Sequence, residues 1–451
     1  VIPVVTPDEM RAIDAAATTP VDELIDRAGA AVARAAVRML GGTYGRRVVV
    51  LVGKGNNGAD GRVAARRLGR AGVQVTVLDA AALPATLPPT DLVIDAAYGT
   101  GFHGTWEPPR TDAPVLAVDI PSGVDGLTGR VPGGALAAAC TVTFAALKPG
   151  LLFPPGRELT GRLEVADIGL DASDVHTHLV QQADVAAWLP DRNADAHKWR
   201  SAVWVIAGSG SMLGAAHLAA RAAQRTGAGM VRLSSPGLSL DPAAPTEAVR
   251  HLLPPAYWAQ EALGECDRFH AVVIGPGLGR SDATTASVRE FVAGADLPAV
   301  IDGDGLFALA WNPDGPAAAL ATRTQPTVLT PHDGEFGLLA GRRIGADRIG
   351  AARDLAGRLR CVVLLKGATT VIAEPEGEVL VVTAGDERLA TAGTGDVLSG
   401  IVGALLAQRV APLEAAAAGA WLHGQAGRRG WARGLVAGDL PDLLPAVLDE
   451  L

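Results

Sequence analysis

The feature that most constrains the fold is a repeated local order: a short apolar run rich in β-branched residues, a loop of glycine and acid, then a helical stretch. Residues 47–52 (RVVVLV) lead into 53–61 (GKGNNGADG) and a helical VAARRLGRAG. Residues 91–95 (DLVID) lead into 98–102 (YGTGF), and 115–118 (VLAV) lead into 119–125 (DIPSGVD). The second half repeats the order, with 202–207 (AVWVIA) before GSGSMLGAA, 271–274 (AVVI) before GPGLG, 298–301 (PAVI) before DGDG, and 361–365 (CVVLL) before KGATT. Runs this short, bounded by chain breakers, read as buried strands. Strands alternating with helices build a largely parallel sheet covered on both faces, an α/β architecture whose post-strand loops converge on one crevice.

The 451 residues exceed a single core, so two or three domains are expected. Residues 6–40 read as helix, with Thr6 as cap, Pro7 in the first turn and Glu9 at capping-box spacing. A polar, unperiodic stretch at 172–182 carrying His176 and His178 places the boundary near 173, giving domains 1–172 and 173–451. Metal binding by the two histidines is not expected, because no third ligand is near. The net charge of −9 with no basic run argues against a general nucleic-acid binder. Glycine, proline or charge interrupts every apolar run before it reaches bilayer length, and the first residues lack the order of a secretory leader. Cys140, Cys266 and Cys361 lie far apart without a CxxC pair, which fits a reduced, zinc-free, cytoplasmic chain.

The densest chemical signal is residues 389–400, LATAGTGDVLSG, where small residues and glycines surround Asp396 just before an apolar helical run. Such a helix start leaves backbone N–H groups free and favours anions. An acid there repels phosphate but can take a proton from a hydroxyl that attacks phosphate; the alternative is a turn in which Asp396 is only a cap. The loop at 53–61 offers amides and a carboxylate to a sugar, a phosphate or a cation, or forms an Asx-rich turn. Asp302 and Asp304 fit metal-linked nucleotide binding or a turn with capping acids.

TAGTGDVLSG, with Thr330-Pro331-His332 and Lys366-Gly367-Ala368, resembles the NAD(P)H-hydrate dehydratase branch of the ribokinase-like superfamily. GKGNNGADG and DIPSGVDGLTG resemble NAD(P)H-hydrate epimerase, and the two resemblances together run from about Thr6 to about Gly400. They imply a fused bifunctional enzyme of nicotinamide-nucleotide repair, with a Rossmann-like three-layer N-terminal domain and a ribokinase-like C-terminal domain.

For the N-terminal domain the resemblance implies substrate contacts from Asn56, Asn57 and Asp60, and from Gly99, Thr100, Gly101, Phe102, His103, Gly104 and Thr105. It implies potassium ligation by Asn57, Asp95 and Ser122, and catalysis by Asp119 with Lys148 as a second candidate. For the C-terminal domain it implies hydrate contacts at Ala215, Gly277 and His332. It implies ADP or ATP contacts at Lys366, Gly367, Ala368, Thr369, Thr370 and Gly395, magnesium on the phosphates, and Asp396 as catalytic acid–base. Small-molecule substrates and a homo-oligomer are the implied partners, with no membrane. Two departures from the family pattern stand out. Ala59 replaces a glycine, which strains the loop if that position needs positive φ, and Asp386-Glu387 replace an Asn-Pro pair. The competing reading is a ribokinase-like small-molecule kinase fused to a non-catalytic binding domain.

Overall fold

A computed structural model describes residues 1–191, 197–239, 241 and 243–451. The chain divides into two compact units, Ile2–His178 and Leu179–Leu451. Among the described residues no helix is long and apolar enough to cross a membrane, and all three cysteines are buried and free.

The N-terminal unit opens with the helix Pro7–Ala16. Its capping box forms as the sequence predicts: Thr6 Oγ1 accepts from Glu9 N at 3.2 Å, and Glu9 Oε2 accepts from Thr6 N at 2.7 Å. The single helical stretch expected from 6 to 40 is two helices. Ala17 turns extended, and Val21–Leu40 starts after Pro20, because proline restricts the residue before it and cannot continue a helix. Six strands lie side by side, all parallel, in the order Gln74–Asp79, Arg47–Val52, Leu92–Ala96, Val115–Val118, Cys140–Phe144 and Arg162–Ala166. Val52 registers with Ala96 and Asp95 with Ala117, so the loops after the three middle strands open at one edge. The crossover between Gln74–Asp79 and Leu92–Ala96 carries only the three-residue turn Ala80–Ala82.

The stretch after Val52 departs from its sequence reading. It is not a loop through residue 61, since the helix Asn56–Arg70 begins at the first asparagine and carries Asn56, Asn57, Ala59 and Asp60 in its opening turns. Two glycines let this happen. A Cβ on Gly53 would lie 1.9 Å from the Ala97 carbonyl oxygen, and one on Gly58 would lie 2.1 Å from the Gly53 carbonyl oxygen. Ala59 is helical and not among the positive-φ residues, so the strain anticipated from replacing a glycine there is absent.

In the C-terminal unit, seven strands run parallel in the order Val362–Leu365, Thr327–Leu329, Ala299–Ile301, Ala271–Ile274, Ala202–Ile206, Met230–Ser234 and Val249–Arg250. Thr370–Ala373 and Val379–Val382 extend this sheet as antiparallel hairpin strands beside Val362–Leu365. The helix Thr394–Ala407 is apolar nearly all round and correspondingly buried. Its small residues set how closely it packs. A Cβ on Gly400 would fall 2.1 Å from the Ala219 carbonyl oxygen of helix Leu213–Arg225, and one on Gly403 would fall 2.2 Å from a Val273 methyl of the sheet.

Two substitutions test the helical start at Asn56. Ala59→Gly should destabilise the N-terminal unit by about 0.5–1 kcal/mol rather than relieve strain. Gly58→Ala should cost about 1–3 kcal/mol through overpacking. Urea midpoints of the two variants decide the matter.

Candidate active sites

At the carboxyl ends of the N-terminal strands lies a cavity of about 950 Å³. Asp119 follows Val115–Val118 with φ 66, a left-handed conformation that short acids tolerate better than most residues. Its Oδ1 accepts from Lys148 Nζ at 2.6 Å and from Thr143 Oγ1 at 3.0 Å. Lys148 is 1% exposed and also donates to Thr143 Oγ1 (2.8 Å) and to the carbonyls of Phe144 (3.1 Å) and Ala146 (3.2 Å). With its donors engaged by fixed oxygens, Lys148 is built to hold the Asp119 carboxylate in place.

Asn56, Asn57, Asp60, Gly99, Thr100, Gly101, Phe102 and His103 line the same cavity, whereas Gly104 and Thr105 do not. The Tyr98 and Phe102 rings lie 4.3 Å apart beside it. Burial pushes the Asp60 carboxyl up to about 8, with Asp119 and then Asp14 adding to the shift. Asp14 was missed from sequence. It lines the cavity from helix Pro7–Ala16 with its side chain exposed at the mouth, one turn after the buried Met10, and that spacing is the signal that could have found it. Desolvation holds its carboxyl above the usual range, with Lys148 opposing and Asp119 reinforcing.

The oxygen set implied for potassium is partly assembled. Asp95 is fully buried and accepts from Ser122 Oγ (2.6 Å), Ser122 N (2.9 Å) and Ala97 N (3.3 Å). Burial raises its carboxyl against those three bonds, and no cationic side chain pairs with it among the described residues. The Ser122 hydroxyl also accepts from Tyr98 N at 2.8 Å. Both polar atoms of the Asn57 amide are buried without a partner. Asn57 lies against the Gly99 loop: a Cβ on Gly99 would be 3.4 Å from the Asn57 Cβ and 3.6 Å from Asp119 Oδ2.

In the C-terminal unit, Gly393 at φ 92 caps the helix Thr394–Ala407, whose first turn carries Gly395 and Asp396. Thr394 Oγ1 donates back to Leu389 O (2.9 Å) and Thr391 O (3.1 Å), which tightens the preceding loop. Beneath it runs a connected chain. Ser399 Oγ donates to Asp302 Oδ2 (2.7 Å), Lys366 Nζ donates to Asp302 Oδ1 (2.9 Å), and Glu335 Oε2 lies 3.7 Å from Lys366 Nζ. Burial opposes ionisation of Asp302, but Lys366 and the Ser399 hydroxyl outweigh it and hold the carboxyl below the usual range. Burial pushes the Asp396 carboxyl up to about 7; Asp302 adds to this and Lys366 opposes it. A Cβ on Gly395 would sit 3.4 Å from Lys366 Nζ, so the turn carrying Asp396 lies directly over that ion pair.

Three readings left to chemistry acquire definite geometry here. Lys366, expected to meet phosphate, already has its ammonium engaged by Asp302 and Glu335. Asp304 ties down the neighbouring turn, accepting from Gly279 N (2.8 Å) and Arg280 Nε (2.7 Å). His332 caps the helix Asp333–Ala340: its Nδ1 accepts from Gly334 N (3.0 Å) and Glu335 N (3.3 Å), leaving the ring largely exposed. Ala215 and Gly277 come together, since a Cβ on Gly277 would be 3.0 Å from the Ala215 Cβ. Arg348 donates to the Lys366 carbonyl at 2.8 Å beside Gly367, steadying the turn that continues through Ala368 and Thr369 into the strand beginning at Thr370. Sequence reasoning missed Glu335 and the buried His423, whereas Ser399 lies within the 389–400 stretch it singled out. Burial drives the His423 imidazole down to about 4, opposed by its bond to the Thr394 backbone. Among the described residues no three His, Cys, Asp or Glu side chains cluster as a metal site.

Each unit therefore presents a carboxyl raised toward neutral pH beside a lysine–aspartate pair at the carboxyl end of an α/β sheet. The family described as NAD(P)H-hydrate dehydratase matches residues 203–448, and the YjeF-related protein N-terminus matches 21–86 and 79–150. The chain is 38% identical, over an alignment 528 positions long, to the bifunctional NAD(P)H-hydrate repair enzyme Nnr of Moorella thermoacetica, covering 99% of this chain and 97% of the relative. It is 34% identical to the enzyme of the same description from Escherichia coli K12, covering 95% and 89% of the two chains. A ribokinase-like superfamily protein from Enterococcus faecalis has a similar fold, with TM-score 0.54 at 22% identity over 61% of this chain and 96% of that one. The chain belongs to the family of bifunctional NAD(P)H-hydrate repair enzymes.

The Lys366–Asp302 pair gives a stability test. Lys366→Met leaves a buried carboxylate without its counter-charge and should cost on the order of 3 kcal/mol in urea unfolding. Adding Asp302→Asn should recover a large part of that loss, the coupling expected of a contacting pair.

Proposed function

We propose that the N-terminal unit interconverts the R and S forms of NAD(P)H hydrate, and that the C-terminal unit dehydrates the S form to NAD(P)H at the expense of ADP or ATP. The observation that carries the second half is Asp396: a carboxyl raised to about 7, in the first turn of a buried helix. A base poised near neutrality is suited to removing a hydroxyl proton during phosphoryl transfer. The free N–H groups of the same turn and the helix dipole suit the phosphate that moves.

Asp396 takes the proton of the C6 hydroxyl as its oxygen attacks the terminal phosphorus, and AMP or ADP departs. The phosphate ester then leaves C6 as the ring-nitrogen lone pair forms an iminium, and loss of a C5 proton restores the dihydronicotinamide. Magnesium, when bound, neutralises charge on the nucleotide phosphates, as suits an ion held by substrate oxygens rather than by a protein cage. Ala215, Gly277 and His332 are assigned to the hydrate. Gly395 and the turn from Lys366 to Thr370 are assigned to the nucleotide, with Lys366 acting mainly through Asp302.

In the N-terminal unit, Asp119 is the acid–base group at C6 and Lys148 its positioning cation. The partnerless Asn57 amide and the Asp95–Ser122 pair suit potassium, a hard and weakly held cation that offsets the buried Asp95 carboxylate.

The test is recovery of reduced-nicotinamide absorbance from an epimeric mixture of NADH hydrate with magnesium and either ADP or ATP. Complete recovery is expected, and accumulation of a stable phosphorylated hydrate instead would overturn the dehydratase assignment. Asp396→Asn should slow dehydration at least about 10²-fold while nucleotide binding persists. In the parent protein, dehydration kcat/KM should rise as pH climbs through about 7, because the ionised Asp396 is the active form. Asp119→Ala should leave fast recovery of the S fraction alone, followed only by spontaneous conversion of the remainder.

A further inference from the structure

The N-terminal cavity contains a carboxyl that the Asp119–Lys148 pair does not employ. Asp60 projects from helix Asn56–Arg70, lines the cavity and is only 6% exposed. Its carboxyl receives no hydrogen bond from the described residues, whereas Asp119 Oδ1 is gripped by an ammonium and a hydroxyl. The other charged or titratable groups on the cavity are Asp14 from helix Pro7–Ala16, Lys54 from the turn before Asn56, Asp79 at the end of Gln74–Asp79, Tyr98, His103, Asp119 and Lys148. A buried carboxyl given no donors, in company with other carboxylates, is more stable as the neutral acid. Burial, Asp119 and Asp14 all act in that direction and raise it to about 8, so Asp60 holds its proton at neutral pH. Two carboxyls in one cavity, one held as an ion pair and one held protonated, are arranged as a base and an acid.

We propose that Asp60 is the general acid of epimerisation, giving its proton to the C6 hydroxyl of the hydrated nicotinamide as that group leaves, with Asp119 as the proton acceptor when water returns. The inference rests on the epimerase reading of the N-terminal unit. In the first step the C6–O bond breaks, its electron pair goes to oxygen, and the oxygen takes the Asp60 proton and departs as water. The ring-nitrogen lone pair forms the N1=C6 iminium, and Asp60 becomes a carboxylate. In the second step a water oxygen forms a new bond to C6 on the other face and yields its proton to Asp119. One proton passing from Asp119 to Asp60 resets the site, and solvent at the mouth, where Asp14 stands, offers the route.

The test follows conversion of purified R hydrate to S hydrate by chromatography, from neutral to alkaline pH, in the parent protein and in Asp60→Asn. In the parent, epimerisation kcat/KM should fall as pH rises through about 8, since the neutral acid is the active form. Asp60→Asn keeps the shape but cannot donate the proton; it should lower kcat roughly 10²-fold with little change in KM, and the alkaline fall should vanish. Dehydration of purified S hydrate by the same preparation, in the other unit, confirms that the variant is folded. Parent-like kcat in Asp60→Asn, persistence of its alkaline fall, or a loss confined to KM would each overturn the proposal. Absence of epimerisation in the parent itself would instead overturn the epimerase reading, so the two failures are distinguishable.

Discussion

In each candidate site a lysine is paired with an aspartate at the end of a parallel strand: the fully buried Lys148 with Asp119, and the partly exposed Lys366 with the buried Asp302. Taking two charges out of water is costly, and the cost is met only where geometry is close and the remaining donors are satisfied. Lys148 meets that condition through Thr143 and two backbone carbonyls, while Lys366, one-fifth exposed, bonds Asp302 with Glu335 3.7 Å away. The consequence lies in the next carboxyl along. Asp60 and Asp396 stand near these pairs without a cation of their own, and both are displaced upward into the range where proton transfer at neutral pH is efficient. The two units, dissimilar in strand order and length, arrive at the same electrostatic construction.

That construction depends on backbone approach that only small residues allow. Gly53 and Gly58 let the strand–helix turn close under Ala97, bringing Asn57 and Asp60 to the cavity wall. Gly400 and Gly403 let the helix carrying Asp396 lie against both its helical neighbour and the sheet, which excludes water from its lower face. Exclusion of water is in turn the largest cause of the Asp396 shift. Close packing and acid–base tuning are thus one property seen at two scales.

The strands were legible because period and composition agree at positions such as 47–52 and 271–274, and the strand-end acids Asp95, Asp119 and Asp302 were legible because parallel strands direct such residues to one crevice. The start of helix Asn56–Arg70 was not, because Asn, Gly and Asp have low intrinsic helix propensity and the tertiary fit of Gly58 overrides it. Asp14 and Glu335 escaped notice for another reason: only the fold sets Asp14 on the cavity wall and Glu335 beside Lys366, and only the fold reveals that Ser399 and Lys366 share Asp302. His332 was assigned from its motif, and its ring has the second task of capping a helix.

The left-handed backbone at Asp119 limits how this centre can change. Aspartate, asparagine and glycine enter that region at small cost, while longer or branched side chains enter it with difficulty. Glutamate, the replacement that would keep the charge, carries both a conformational penalty and an extra methylene that would push its carboxyl past Lys148 and Thr143. The main chain therefore screens the candidates before chemistry does, and a lineage or a designer wishing to retune this acid has almost no neighbouring sequence to move into without first rebuilding the turn that holds it.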